Sequence, residues 1–247
     1  MAKESVNPVE RATAHELMDD PARPDRELRN ALRDLGRINR FLGGRAFVLS
    51  FLDRILPAWR AQGDVPHGPL RILDVATGGA DIPLAVARWA ERRRVPVRII
   101  AVDLHPTTVR LAREMTSACP AVSVLQADAR ALPFADGAFD VCLCTLALHH
   151  LAPDEALGLL RHLNRLGRIG FLAADLVRSW RGYAGVWLLT RLSRSPVLRH
   201  DGPLSVWRAL SWEEYCRLAE ASGVPGLRVS KLPLFRIALE RIAPCRM

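Results

Sequence analysis

Apolar positions along the chain switch from helical to strand-like spacing and back. From Asp25 onward Leu28, Leu32, Leu35 and Ile38 recur at helical spacing, with Asp25 as the expected N-cap and Gly43-Gly44 as the stop. Residues 46–59 predict a second helix with Phe47, Phe51, Leu52, Ile55 and Leu56 on its apolar side. A Gly- and Pro-rich stretch, 62–69, links this helical pair to a series of strands. Short continuous apolar runs take over at 72–75, 97–102, 122–127 and 139–146, the signature of strands buried on both faces. Helices are expected between them at 107–116 and 153–166, the latter with Pro153 near its start, acids in its first turn and arginines late. A fifth strand over 168–174 ends at Asp175. Beyond it come a helix over 179–192, a polar loop over 196–205, and a helix opened by the capping box Ser211-Trp212-Glu213-Glu214. Residues 227–232 and 235–239, joined through Pro233, predict a closing antiparallel hairpin. Strands alternating with helices imply an α/β fold, a doubly wound and mostly parallel sheet with an N-terminal helical extension.

The first strand runs into Leu73-Asp74-Val75-Ala76-Thr77-Gly78-Gly79-Ala80-Asp81, read as strand, tight turn and helix start. Ala76, Gly78 and Ala80 are small where bulk would hold a ligand off the main chain, and Gly78 and Gly79 accept positive φ without a Cβ clash. A ligand could lie against the N–H groups at the helix start; a tight connection with no ligand is the alternative. Asp103 falls roughly 25 residues past the glycines, near the spacing at which an acid reaches ribose hydroxyls. Asp128-Ala129 ends the third run, and Thr145-Leu146 leads from the fourth to His149-His150, all at the same edge.

These residues resemble class I S-adenosylmethionine-dependent methyltransferases over about residues 70–175. The turn looks like their D-x-G-x-G-x-G motif, with Ala76 and Ala80 where glycines are usual. The nearest likeness is to the UbiE-type (methyltransferase type 11) enzymes, which methylate quinone precursors and natural-product phenols. The resemblance implies a seven-stranded Rossmann-like methyltransferase sheet and S-adenosyl-L-methionine as cofactor. It assigns to the cofactor Asp74, Ala76, Thr77, Gly78 and Gly79, then Asp103, Leu104 and His105 for the ribose side, Asp128 and Ala129 for the adenine, and Thr145 and Leu146. It suggests a division into a flexible arm (1–24), a helical lid (25–66) and a methyltransferase domain (67–247). The two early helices either roof the cofactor, with Asn39 and Arg40 contacting the acceptor, or simply cover the sheet. Asp175 and Asp201 are further acceptor-side candidates. No Pro-Gly-Gly hairpin precedes the fifth strand, a departure from the commoner pattern.

Methyl transfer needs a base for the acceptor's proton. His150, at the pocket mouth, and His200, with Asp201 to orient it, are the candidates, with His149 beside them. A structural role for these histidines, with catalysis by proximity alone, is the alternative. Trp180, Tyr183 and Trp187 share one helix side, either as core or as a greasy wall for a flat acceptor.

Composition narrows the class. A chain of 247 residues, 49% apolar, fits one α/β domain with a helical extension. No apolar run is long enough to span a membrane, and the polar amino terminus lacks a signal-peptide core, so a cytoplasmic location is expected. The net charge of +9 comes almost wholly from scattered arginines, Lys3 and Lys231 being the only lysines. Arg92-Arg93-Arg94 reads as a solvated helix end, and no aromatic and basic stripe marks a nucleic-acid partner. Cys119, Cys142, Cys144, Cys216 and Cys245 have no zinc spacing, so a reduced, metal-free protein is expected. The function expected is methyl transfer to oxygen or carbon of a hydrophobic aromatic, polyketide- or quinone-like small molecule, as in natural-product biosynthesis, with a homodimer left open. Three rivals stand beside it. An NAD(P)-dependent oxidoreductase is opposed by the missing G-x-G-x-x-G. An RNA methyltransferase is opposed by Cys144-Thr145-Leu146-Ala147, where an Asp/Asn-Pro-Pro-Tyr would stand. A non-catalytic cofactor-binding subunit would keep the fold without turnover.

Overall fold

The computed structural model describes residues 11–20, 22–61 and 68–243. The first ten residues of the expected arm, most of the 62–69 link and Cys245 lie outside it. Two helices, α1 (Asp25–Phe41) and α2 (Gly44–Arg60), precede the sheet. Then β1 (Leu70–Val75), α3 (Asp81–Arg92), β2 (Val97–Asp103), α4 (Pro106–Thr116) and β3 (Val122–Gln126) build one half. The other half is β4 (Phe139–Thr145), α5 (Pro153–Leu166) and β5 (Gly167–Leu176). It continues through α6 (Trp180–Thr190), α7 (Pro196–Arg208) and α8 (Trp212–Ser222) to the hairpin β6 (Arg228–Leu232) and β7 (Arg236–Ile242).

The seven strands lie in the order β3-β2-β1-β4-β5-β7-β6, with β1 to β5 parallel and β7 antiparallel to both its neighbours. Strand order therefore reverses at β1, so a crevice opens beyond the carboxyl ends of β1 and β4. Successive residues feed opposite cores, as strand pleating dictates. Ile72, Val141 and Leu143 pack with Phe51, Ile55 and Trp89 of α2 and α3. Leu73, Cys142 and Cys144 pack with Leu159 and Leu163 of α5 and Tyr215 of α8. The two cysteines are thus small core hydrophobes, as expected.

Four expectations change. Pro24, not Asp25, caps α1: its carbonyl accepts the Glu27 and Leu28 N–H groups, and Asp25 joins the first turn beside Arg110. Residues 196–205 are helix rather than loop. Ser195 Oγ accepts the Leu198 N–H at 3.3 Å, and Pro196 sits at the helix start, where its missing N–H costs nothing. Gly202-Pro203 reads locally as a breaker. Gly202 is needed because a Cβ there would stand 2.6 Å from Thr190 Cγ2, so it lets α7 lie close against α6. The aromatic stripe of α6 is not core: Trp180 is 58% and Trp187 42% exposed. Trp180 and Tyr183 instead pack on Trp207 of α7, with ring centroids 4.9 and 5.1 Å away. Finally, residues 11–20, expected to be a free arm, lie against α7, with the Ala12 N–H donating to the Trp207 carbonyl and the Leu17 and Met18 N–H groups to the Asp201 carboxylate.

The approach of β7 to β5 demands glycine at 170. An added Cβ would meet the Arg241 carbonyl and come within 2.9 Å of Ile55 Cδ1. Gly170→Val should therefore cost about 1–3 kcal/mol or more of stability, as overpacking does. Urea unfolding at wild-type midpoint would show that the strands are not so close.

Candidate active site

The site starts from the turn after β1. Ala76, Gly78 and Ala80 all have left-handed backbone, with φ of 55°, 53° and 55°. For alanine that conformation costs on the order of 1–2 kcal/mol, so something must enforce it. The Thr77 N–H donates to the Val102 carbonyl and the Ala80 N–H to the Thr77 carbonyl, both at 2.9 Å. The Gly78 N–H donates to Asp103 Oδ2 at 2.9 Å and the His105 N–H to Asp103 Oδ1 at 3.1 Å. Burial raises the Asp103 carboxyl above its ordinary value, against the pull of these amides. Asp74 lies beneath the turn, buried, with Oδ1 lacking any partner, and burial pushes its carboxyl up to about 7. It supports the turn from below and does not reach the cavity wall.

Above the turn is a cavity of about 470 Å³. Ala76, Thr77, Gly78, Gly79 and Asp103 wall one end. Leu104, His105, Asp128, Ala129, Thr145 and Leu146 also line it, as expected from the sequence. Asp128 is clamped by Arg130, which holds its carboxyl below the ordinary value. Leu32 of α1 lies over both glycines: a Cβ at Gly79 would come 3.2 Å from its Cβ. Leu35, Ile38, Val186, Leu189 and Leu198, from α1, α6 and α7, make an apolar wall.

Opposite lies a polar group only half visible in the sequence. A 3-10 turn, Leu148–His150, carries two neighbouring imidazoles tilted 38° to each other, with centroids 4.3 Å apart. His149 is buried, with Nδ1 2.7 Å from Asp175 Oδ1 and its backbone N–H donating to Asp175 Oδ2. Its Nε2 faces Glu16 Oε1 at 3.7 Å. His150 Nε2 stands 3.8 Å from Glu16 Oε2, and Nδ1 3.4 Å from Asp19 Oδ2. Ser205 Oγ donates to Glu16 Oε1, and Arg208 stands 3.6 Å from Asp19. Burial pushes the Glu16 carboxyl up to about 7. Burial also opposes ionisation of Asp175, but His149 outweighs it and holds that carboxyl below its ordinary value. Glu16 and Asp19 give no sequence signal because residues 11–20 carry neither helical nor strand periodicity.

Other candidates move. His200 stands on the outside of α7, half exposed, with Nδ1 2.8 Å from Asp201 Oδ1, and does not line the cavity. Asp201 does line the cavity, and its oxygens accept the Leu17 and Met18 N–H groups, so it also anchors the amino-terminal segment. Arg40 is exposed over the Phe41 ring and outside the cavity. Asn39 is buried and reaches the cavity, its Oδ1 accepting from Arg236. Asp175 is buried against His149 and does not line this cavity.

A doubly wound sheet whose small-residue turn and strand-end acid open on one hollow defines a nucleotide-cofactor-binding enzyme. Residues 72–170 match the methyltransferase domain family. The chain is 30% identical over 225 residues to an uncharacterized protein of Mycobacterium tuberculosis, covering 87% of this chain and 73% of that one. It is 38% identical over 106 residues to demethylmenaquinone methyltransferase of Thermus thermophilus, covering 40% of this chain and 46% of the other. Among solved structures it is similar in fold to an S-adenosylmethionine-dependent methyltransferase of Aquifex aeolicus, with TM-score 0.60, 17% identity and coverage of 90% and 97%. Magnesium protoporphyrin IX methyltransferase of Synechocystis, with S-adenosylhomocysteine bound, superposes with TM-score 0.54 at 13% identity over 83% and 84% of the chains. The chain belongs to the class I S-adenosylmethionine-dependent methyltransferases. It is an S-adenosylmethionine-dependent methyltransferase.

The residues present fit that cofactor. Each Asp103 oxygen retains acceptor capacity beyond its amide bond, suited to ribose hydroxyls. The turn presents backbone rather than side chains. Asp103→Ala should weaken S-adenosylhomocysteine binding at least tenfold by calorimetry while leaving the circular dichroism spectrum unchanged; unaltered affinity would remove Asp103 from the cofactor site.

Asp74 yields a pH test. Its folded carboxyl is raised, so the folded state holds the proton that the unfolded chain releases, and stability falls as pH rises from about 4 to about 7. Asp74→Asn should abolish this component. Its melting temperature relative to wild type should climb across that window and level off above it, and a difference independent of pH would refute the assignment.

Proposed function

We propose that the enzyme methylates oxygen or carbon of a hydrophobic, ring-bearing acceptor of the aromatic, polyketide or quinone type. The observation that carries this is one hollow bounded by the cofactor turn, an apolar wall and the Glu16–His149–His150 group. Leu35, Ile38, Val186 and Leu189 suit a flat apolar body, and the polar group suits a hydroxyl or an acidic C–H at its end. When bound, the cofactor supplies a methyl group on a positively charged sulfur, ready for in-line displacement.

The chain's part is placement. The turn and Asp103 hold one reactant, and the apolar wall holds the other. Good alignment of two reactants lowers a barrier by about 7–11 kcal/mol. Leu32 of α1 and His15, Glu16, Met18 and Asp19 of the amino-terminal segment line the hollow, so both contribute to its shape. Asp175 fixes the His149 ring so that Nε2 points toward the hollow. We read α1 and α2 as the lid and residues 68–243 as the catalytic domain. The same roof counts against a nucleic-acid acceptor, which needs an open groove. A relative named for demethylmenaquinone supports a ring-bearing acceptor.

The test is to incubate the protein with S-adenosylmethionine bearing a labelled methyl and a whole-cell extract. The label should enter an organic-soluble compound whose mass rises by one methyl group. Label in RNA or protein would overturn the acceptor class, and no label at all would favour a cofactor-binding subunit.

A further inference from the structure

We propose that Glu16, His149 and His150 form a binding site for one divalent transition-metal ion of zinc's borderline class. One ligand atom from each of the three lies within 4.8 Å of the others, and both Nε2 atoms face the Glu16 carboxylate, that of His149 toward Oε1 and that of His150 toward Oε2. The 3.7 and 3.8 Å nitrogen-to-oxygen separations are too long for hydrogen bonds. They are close to the roughly 3.3–3.7 Å between two ligands that each stand about 2.0–2.2 Å from a shared zinc.

The hydrogen-bond pattern argues in the same direction. Asp175 is acceptor-only when ionised, and its Oδ1 and Oδ2 already take the Leu176 and His149 N–H groups. The short contact to His149 therefore places the ring proton on Nδ1. In the neutral ring Nε2 then presents a lone pair on the side of the Glu16 carboxylate, so two donor atoms that a metal ion can share face each other. A metal-bound histidine whose other ring nitrogen donates to a carboxylate is the common pattern of such centres. Asp19, 3.4 Å from His150 Nδ1, repeats that relation for the second ring. The opposing charges are Arg208, 4.0 Å from Glu16 and paired more closely with Asp19, and Arg11, whose guanidinium donates to the His149 and Leu151 carbonyls at 2.8 Å.

Three protein ligands leave coordination positions open, and the site lines the cavity. An ion there would take an acceptor hydroxyl as its oxyanion and hold that oxygen in place, a role that rests on the methyl-transfer reading. The ion site itself does not rest on it. The metal-free expectation came from cysteine and histidine spacing, which cannot register a ligand as far away in sequence as Glu16.

The experiment uses the full-length protein, stripped with chelator and titrated with Zn²⁺ by calorimetry and with Co²⁺ by visible absorption, with neither cofactor nor acceptor present. Wild type should bind one equivalent. Glu16→Gln and His149→Gln should each weaken binding at least thirtyfold, while His162→Gln, at a half-buried histidine outside the cavity, should not. S-adenosylhomocysteine affinity reports folding, and if a variant loses it, His150→Gln carries the comparison. Absence of stoichiometric binding, or binding that survives these substitutions, overturns the proposal. An ion bound by a protein that transfers no methyl would uphold it and sink the methyl-transfer reading alone.

Discussion

The hydrogen bond from the Gly78 N–H to the Asp103 carboxylate ties the ends of two neighbouring parallel strands. Without it the turn after β1 would have only two backbone bonds to keep Ala76 and Ala80 in a conformation alanine resists. The same carboxylate is then a wall of the hollow. One buried acid thus shapes the peptide surface and also remains a receptor for hydroxyls. Such double use is possible because a carboxylate offers about four acceptor positions, more than two amides consume. The strain held in the turn is of the kind that gathers at functional sites.

Everything that depends on the parallel sheet was legible from the sequence. The runs at 72–75 and 97–102 are short, apolar and rich in branched residues, and nothing but a doubly covered strand tolerates them. Their polar ends then had to fall on one edge, which groups Asp103, Asp128, Thr145 and His150 by pattern alone. All four line the cavity. The hairpin was equally plain, because Pro233 separates two strand-like runs.

What failed to show in the sequence depends on long-range contact. α7 carries glycine and proline in mid-helix, and its apolar residues do not favour one side. It is helical because α6, α1 and the amino-terminal segment pack around it. His200 looked catalytic because an aspartate follows it, yet that aspartate turns inward to hold residues 17 and 18 while the imidazole turns to solvent. Glu16 is buried by partners from residues 149, 205 and 208, and no local pattern announces such a meeting.

The bonds from Leu17 and Met18 to Asp201 join positions separated by 184 and 183 residues. Loop-closure entropy makes contacts of that span form late, after the sheet has drawn the two regions together. During synthesis the amino-terminal segment leaves the ribosome long before α7 exists to receive it. The polar end of the cavity therefore stays open on a newly made chain until α7 has emerged to receive that segment.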